Sequence, residues 1–236
     1  MTQLSEARPL LIIPVLGVRE PLVNLLESVQ GQARVLVIDN SAGAINWDDR
    51  PEQRALIDHL TQPYTNLGCG ASWNAGIRQS VDEPYWLVAN ADTVLAPGAI
   101  RYVVEELEKG GPRWVGIDGD WRLMGLSPDF IEQVGWFDES FHPIYAEDCD
   151  MEYRATLAGV PWYHHQPTGS THAGGASWKT EKLPGHEKGQ ANRAYYVEKW
   201  GGMVRGGERY STPFNSGQPD KCGPSIQRLR AQQWKG

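Results

Sequence analysis

The sequence predicts a single α/β domain whose first half is a Rossmann-like unit and whose second half is built on a mixed sheet. Three observations predict it. Two apolar, β-rich runs, Leu10 to Leu16 and Arg34 to Asn40, flank a stretch with helical spacing, the pattern of a βαβ unit. The alternation of strand and helix continues to Ile117 and then breaks. The chain has 236 residues with 40% hydrophobic content, enough for one sizeable core.

Leu10-Leu-Ile-Ile-Pro-Val-Leu16 and Arg34-Val-Leu-Val-Ile-Asp-Asn40 show no polar alternation, so both are expected as strands buried on two faces. Between them Leu22, Leu25, Leu26 and Val29 line one side of a helix from Glu20 to Gln30, with Gly31 past its end. Such strands lie parallel with a right-handed crossover, and ligands gather at their carboxyl ends, where Asp39 and Asn40 stand. A second helix is expected over Glu52 to Leu60, a short strand near Tyr64, and a helix opened by Gly68 to Gly76. Tyr85 to Asn90 is the third clear strand, and the helix from Pro97 to Lys109 begins with a proline suited to a first turn. Arg113 to Ile117 is another strand. From Asp118 to Pro143 tryptophans, glycines and prolines mix without a period, which places the start of the acceptor half here. A helix over 145–159, a strand from Val160 to His165, a Gly/Ser/Thr/His-rich loop over 166–186 and a helix from Glu187 to Trp200 complete the domain. The expected boundaries are 1–202 for the domain, with the nucleotide half at about 8–117 and the acceptor half at about 118–202, then a basic tail over 203–236.

The net charge is −7, of which the residues after 200 contribute +4 and the preceding body −11. An acidic body argues against a broad nucleic-acid footprint; the basic tail suits a diphosphate, an anionic membrane surface or a polyanionic acceptor, or is a solvated end. Cys69, Cys149 and Cys222 are an odd number at wide spacings, which fits neither a disulfide framework nor a zinc site and reads as incidental thiols. No apolar run approaches the roughly 20 residues of a membrane span, and Met1 to Pro9 lacks the basic and apolar regions of a signal, so a cytoplasmic protein is expected. The oligomeric state is left open.

The densest chemistry lies at Glu147, Asp148, Asp150 and Glu152, in the opening turns of the helix over 145–159. Acids at a helix N-terminus are stabilised by the macrodipole, which explains the composition but not the arrangement. Asp148 and Glu152 share one face and Glu147 and Asp150 another, so the four cannot all serve one partner and at least one is available for chemistry. Asn90-Ala-Asp92 stands where a strand runs out, and Asp92 is placed to give a hard divalent cation an oxygen ligand beside a diphosphate. The same pattern also caps ordinary strand ends. Asp39 offers an acceptor-only carboxylate to an imide N–H or a sugar hydroxyl, or forms a turn with Asn40 and Ser41. The glycines of Asn66 to Gly76 follow no dinucleotide-binding spacing and precede no Gly-Lys-Ser/Thr, against a dehydrogenase or a phosphate-loop NTPase.

In order along the chain, strand-end Asp39, Asn66-Leu-Gly68 with Asn74-Ala-Gly76, Asn90-Ala-Asp92, Gly135-Trp-Phe-Asp-Glu-Ser-Phe141, Glu147-Asp148, His172 followed by Ser177, and Lys199-Trp-Gly201 together resemble the motifs of family 2 glycosyltransferases over roughly residues 10–202. The resemblance implies the GT-A fold and inverting transfer of one sugar from a nucleotide-diphosphate sugar (UDP-, GDP- or dTDP-linked) to an acceptor hydroxyl. It implies that Asp148 is the catalytic base, with Glu147 orienting it or binding the acceptor, and that Asp92 and His172 hold Mn2+ or Mg2+. Pro14, Asp39, Asn66, Gly68, Asn74 and Asn90 are implied as nucleotide-side residues. Lys199 is either a solvated charge or a phosphate contact, and Trp200 is core. The Gln-x-x-Arg-Trp element of processive synthases is not found, which implies a single-addition enzyme.

Among ten tryptophans, Trp114, Trp121, Trp136, Trp162 and Trp178 flank the acceptor region; aromatic faces suit sugar rings and nucleobases, and core packing accounts for about half of them. The acceptor classes open to such a site are a glycan, a lipid-linked saccharide, a protein or a hydroxylated DNA base, the last requiring base extrusion. Two other classes compete. A nucleotidyltransferase shares the sheet and metal site but carries a basic, Gly-rich loop after its first strand, which Pro14 to Arg19 suggests only faintly. A non-catalytic nucleotide-sugar binding protein keeps Asp39 and Asp92 without turnover.

Overall fold

The computed structural model describes residues 8–17, 20–165, 169–172, 185–219 and 223–233. Its centre is a sheet built from β1 (Leu10–Val15), β2 (Arg34–Asp39), β3 (His59–Thr61), β4 (Trp86–Ala89), β6 (Trp114–Ile117), β7 (Asp120–Leu126) and β8 (Trp162–His165), in the order β3-β2-β1-β4-β7-β6-β8. The first four strands are parallel; β7 then runs antiparallel to both β4 and β6, and β8 is parallel to β6. The sheet is therefore mixed where the sequence loses its alternation. A separate pair joins β5 (Thr93–Val94) to β9 (Thr171–His172).

The two-residue period of β1 sorts its side chains onto both faces. Leu11, Ile13 and Val15 join one core with α1 (Glu20–Val29) and α4 (Ala99–Leu107), through Leu22, Leu25, Leu26 and Val29 and through Ile100, Val103 and Leu107. Leu10 and Ile12 join the opposite core with α3 (Cys69–Gln79), α5 (Pro128–Val134) and α6 (Glu147–Leu157), through Trp73 and Ile77, Phe130 and Ile131, and Met151 and Ala155. A third cluster sets Phe141 and Ala146 against Tyr196 and Trp200 of α7 (Gly185–Trp200).

Three expectations change. The helix expected from Glu52 to Leu60 is a single turn, α2 (Pro51–Arg54), because Arg54 turns back to hydrogen-bond the Ile57 carbonyl. Asp58 then accepts from the Val35 N–H and docks the chain onto β2, so the strand expected near Tyr64 lies at His59–Thr61. The aperiodic 118–143 region contains β7 and α5. Trp121, Leu123, Met124 and Leu126 are buried, which hides the strand period, and Ser127 caps α5 through the Phe130 N–H ahead of Pro128. The basic segment after residue 202 includes α8 (Ile226–Gln233): Ile226 is fully buried, and Arg230 donates to the Val81 and Glu83 carbonyls.

Candidate active site

The parallel strands end at one rim, and their loops are tied by side chains already at the strand ends. Asp39 is fully buried and accepts from the Trp47 indole at 2.8 Å, the Gln62 amide at 3.0 Å and the Ser41 N–H at 3.0 Å. Asn40 accepts from the Leu67 N–H and donates to the Ser72 hydroxyl, each at 2.9 Å. Asp39 is thus the knot that ties the segments carrying Ser41, Trp47 and Gln62 to the end of β2. Pro14, penultimate in β1, and Asn90, just past β4, are half-buried at the same rim.

Three residues expected on the nucleotide side link the two halves of the molecule. Asn66 accepts from the Gly68 N–H, and its carbonyl meets His142 Nε2 at 2.9 Å. Gly68 has φ +82, and a Cβ there would stand 2.6 Å from the Pro143 carbonyl oxygen, which accepts from the Cys69 N–H. Asn74 is fully buried; its amide donates to the Phe137 carbonyl and to Glu139, and accepts from the Phe137 N–H. The opening of α3 is therefore fastened to the 137–143 segment through all three.

Asp92 follows β4 and directly precedes β5. Because Thr93 pairs with His172, the imidazole comes beside the carboxylate, with 2.9 Å between Nε2 and Oδ1. Ala96 N–H donating to Ser170 and Arg122 donating to the Ser170 carbonyl hold β9 in place. Among the described residues no group of three or more His, Cys, Asp and Glu forms a ready-made ion cage. A carboxylate and an imidazole converging at a strand end suit a hard cation that takes its other ligands from a diphosphate and water. Ser177, the partner of His172 in the sequence motif, lies outside the described residues, as do Trp178 and Cys222.

The four acids of α6 divide cleanly. Asp150 is fully buried and meets Arg154, Lys199 and the Trp200 indole, each at 2.8 Å. Glu152 pairs with Arg205 at 3.3 Å. Asp148 is half-buried, and its Oδ1 accepts from the Cys149 N–H at 2.8 Å. Glu147 is 5% exposed, and its Oε2 has no hydrogen-bond partner. Burial first, then the neighbouring Asp148 charge, pushes the Glu147 carboxyl up to about 8. Glu147 and Asp148 are thus the two acids left for chemistry.

Lys199 is neither solvated nor placed at a surface for phosphate. It is buried and bridges Asp138 and Asp150 at 2.8 Å each; burial opposes its charge, but the two carboxylates outweigh that and hold its pKa above the ordinary value. Arg154 donates to the Val134 and Trp136 carbonyls, so the Gly135-to-Phe141 motif is a clamp between α6 and α7. Trp73 stacks on Trp121 and Trp162 on Trp114, with Trp114 and Trp121 in tilted contact, and Trp114, Trp121 and Trp136 are core residues rather than an acceptor wall.

Two groups feel both Asp92 and the acids that open α6. Burial and the negative charges of Glu147, Asp148 and Asp92 push the Cys69 thiol well up. The Tyr145 hydroxyl is raised by burial, with Arg193 working against it and Glu147 and Asp92 adding to it. Cys69, which the sequence marked as incidental, thus feels the charge of all three acids; its place between the two glycines that open α3 was the available signal. Asn192 and Arg193 had no sequence signal, since 187–200 read only as a helix, and Tyr145 read only as the start of the acidic one. A cavity of 590 Å³ lined by Leu10, Arg34, His59, Gln79 and Glu83 opens at the other end of the strands, away from these groups.

A family model described as glycosyl transferase family 2 matches residues 10–141. No curated protein matches the chain in sequence. Among solved structures, S. aureus TarS is similar with a TM-score of 0.54 and 14% identity, over 67% of this chain and 35% of TarS. TarS 1–349 in complex with UDP-GlcNAc gives 0.52 and 14%, over 67% and 56%. GalNAc-T7 with UDP, GalNAc and Mn2+ gives 0.65 and 12%, over 82% and 48%. The chain thus spans between 35% and 56% of the length of these proteins.

Proposed function

Because the chain belongs to glycosyl transferase family 2 and has the GT-A fold, we propose that it is an inverting, single-addition enzyme moving a sugar from a nucleotide-diphosphate donor to an acceptor hydroxyl. The observation that carries this reading is the head of α6, where Glu147 lies against Gly70 in the opening of α3, together with the Asp92–His172 pair just past β4. A leaving-group corner and a base belong on opposite sides of a sugar; in this reading Asp92 with His172 serves the first and Asp148 the second.

In this reading the donor enters between the loops tied to Asp39, with its diphosphate toward Asp92 and His172. These two residues would hold Mn2+ or Mg2+, which when bound supplies positive charge against the developing charge of the leaving diphosphate. Asp148 takes the proton of the attacking hydroxyl, a step worth about 10²–10⁴-fold. Glu147, held neutral by burial, lessens the negative charge beside Asp148. UDP or UDP-GlcNAc in two of the similar structures favours a UDP-sugar donor over GDP- and dTDP-sugars. The acceptor is drawn from glycans, lipid-linked saccharides, proteins or hydroxylated DNA bases. Among the described residues no helix is long and apolar enough to cross a membrane.

Thermal unfolding with a panel of UDP-, GDP- and dTDP-sugars, with and without manganese, tests the reading. At about a hundred times its Kd, a donor adds about 2.7 kcal/mol. Unshifted curves with every donor would remove it.

A further inference from the structure

The approach to the acidic helix is held in an unfavourable backbone conformation, and one side chain of α7 holds it. Tyr145 has φ 78 and Ala146 φ 71, two consecutive non-glycine residues in the left-handed region. Such residues persist only where their surroundings over-determine them, and they cluster at functional sites. Ala146 is also the N-cap of α6, and its carbonyl accepts from the Asp150 N–H at 2.9 Å. The direction in which Glu147 and Asp148 leave the backbone is therefore set by this pair.

The surroundings come from one face of α7, at spacings of three and four residues. Gly189 makes room for the Tyr145 ring, since a Cβ there would lie 2.9 Å from it. Asn192, almost fully buried, donates through Nδ2 to the Ile144 carbonyl at 2.7 Å and the Tyr145 carbonyl at 3.3 Å. Both partners are acceptors, so only the amide nitrogen can face them. Tyr196 and Trp200 then pack on Ala146.

We infer that Asn192 is a positioning residue for the transfer: it holds the left-handed Tyr145–Ala146 pair through two carbonyls and so fixes where Glu147 and Asp148 enter the cleft. The inference rests on the transferase reading and adds to it a residue that touches no substrate.

The test measures nucleotide release from whichever UDP-, GDP- or dTDP-sugar most stabilises the wild type, in Asn192→Ala, Ala146→Gly and the double variant, with amide exchange over 144–150 in each. Asn192→Ala is expected to lower kcat by about tenfold to a hundredfold, as misplacement of a reacting group by about 1 Å does, while donor KM stays within about twofold. Exchange over 144–150 should quicken. Glycine enters the left-handed region without penalty, so Ala146→Gly in the Asn192→Ala background should restore most of the lost kcat. Unchanged kcat and exchange, a loss that Ala146→Gly does not restore, or a change confined to KM would each overturn the inference while leaving the transferase reading intact. A wild type that releases nucleotide from no donor would remove both.

Discussion

His172 Nε2 lies 2.9 Å from Asp92 Oδ1, although 80 residues separate them in the chain. The contact exists because β9 pairs with β5 immediately after Asp92, in a two-stranded sheet beside the main one. If this pair completes its coordination on a donor diphosphate, Asp92→Asn and His172→Ala should each weaken the manganese-dependent part of donor binding by on the order of tenfold or more. Donor titrations at several manganese concentrations check it; an unchanged manganese response in both variants would assign the pair a purely structural role.

Glu147 gives the protein a pH signature. Its carboxyl moves from 4.5 to about 8 on folding, through burial and then the Asp148 charge. Between those values the folded state keeps a proton that the unfolded chain has released, so stability falls as pH rises through this window and levels off above it. The slope is at most about 1.4 kcal/mol per pH unit. Urea unfolding of wild type and Glu147→Gln at about pH 5 and about pH 8 should show the variant gaining on the wild type at the higher pH. Parallel behaviour would mean that Glu147 is ionised in the fold.

Lys199→Met should cost about 3–5 kcal/mol, because it strands Asp138 as a buried, unneutralised acid and leaves Asp150 with Arg154 as its one cation among the described residues. Lys199→Met with Asp138→Asn should cost less than Lys199→Met alone. A loss below about 1 kcal/mol in urea unfolding would show the lysine to be solvated.

Gly68→Ala forces a left-handed alanine against the Pro143 carbonyl and should cost about 2 kcal/mol or more. Gly98 also has positive φ, but open space surrounds it, so Gly98→Ala should cost only about 1–2 kcal/mol. Equal losses in thermal unfolding would dismiss the Gly68–Pro143 contact as a fastening of the two halves.

The sequence carries the parallel half of the fold plainly, because Leu10 to Val15 and Arg34 to Asp39 are buried on both faces and α1 repeats its leucines at helical spacing. It conceals β7 for the same reason that it reveals β1: Trp121 to Leu126 is buried without alternation, but here glycines and tryptophans surround it and no amphipathic helix precedes it. Of the site, Asp92, Glu147 and Asp148 stand out because acids at strand ends and helix starts are visible locally. The roles of Asp150 and Lys199 are not visible locally, since a buried ion pair depends on contacts 49 residues apart in the chain. Asn192 looks like an ordinary helix polar residue, and Asn74 like a nucleotide-side motif residue, until the carbonyls they serve are seen, and those carbonyls belong to distant loops.

The most direct measurement compares wild type with Asp148→Asn, following sugar transfer and donor affinity in the same preparation. A base at the head of α6 predicts a drop in kcat of about 10²–10⁴-fold with donor Kd unchanged within about twofold. Retained transfer, or a loss of donor binding as large as the loss of rate, would contradict it.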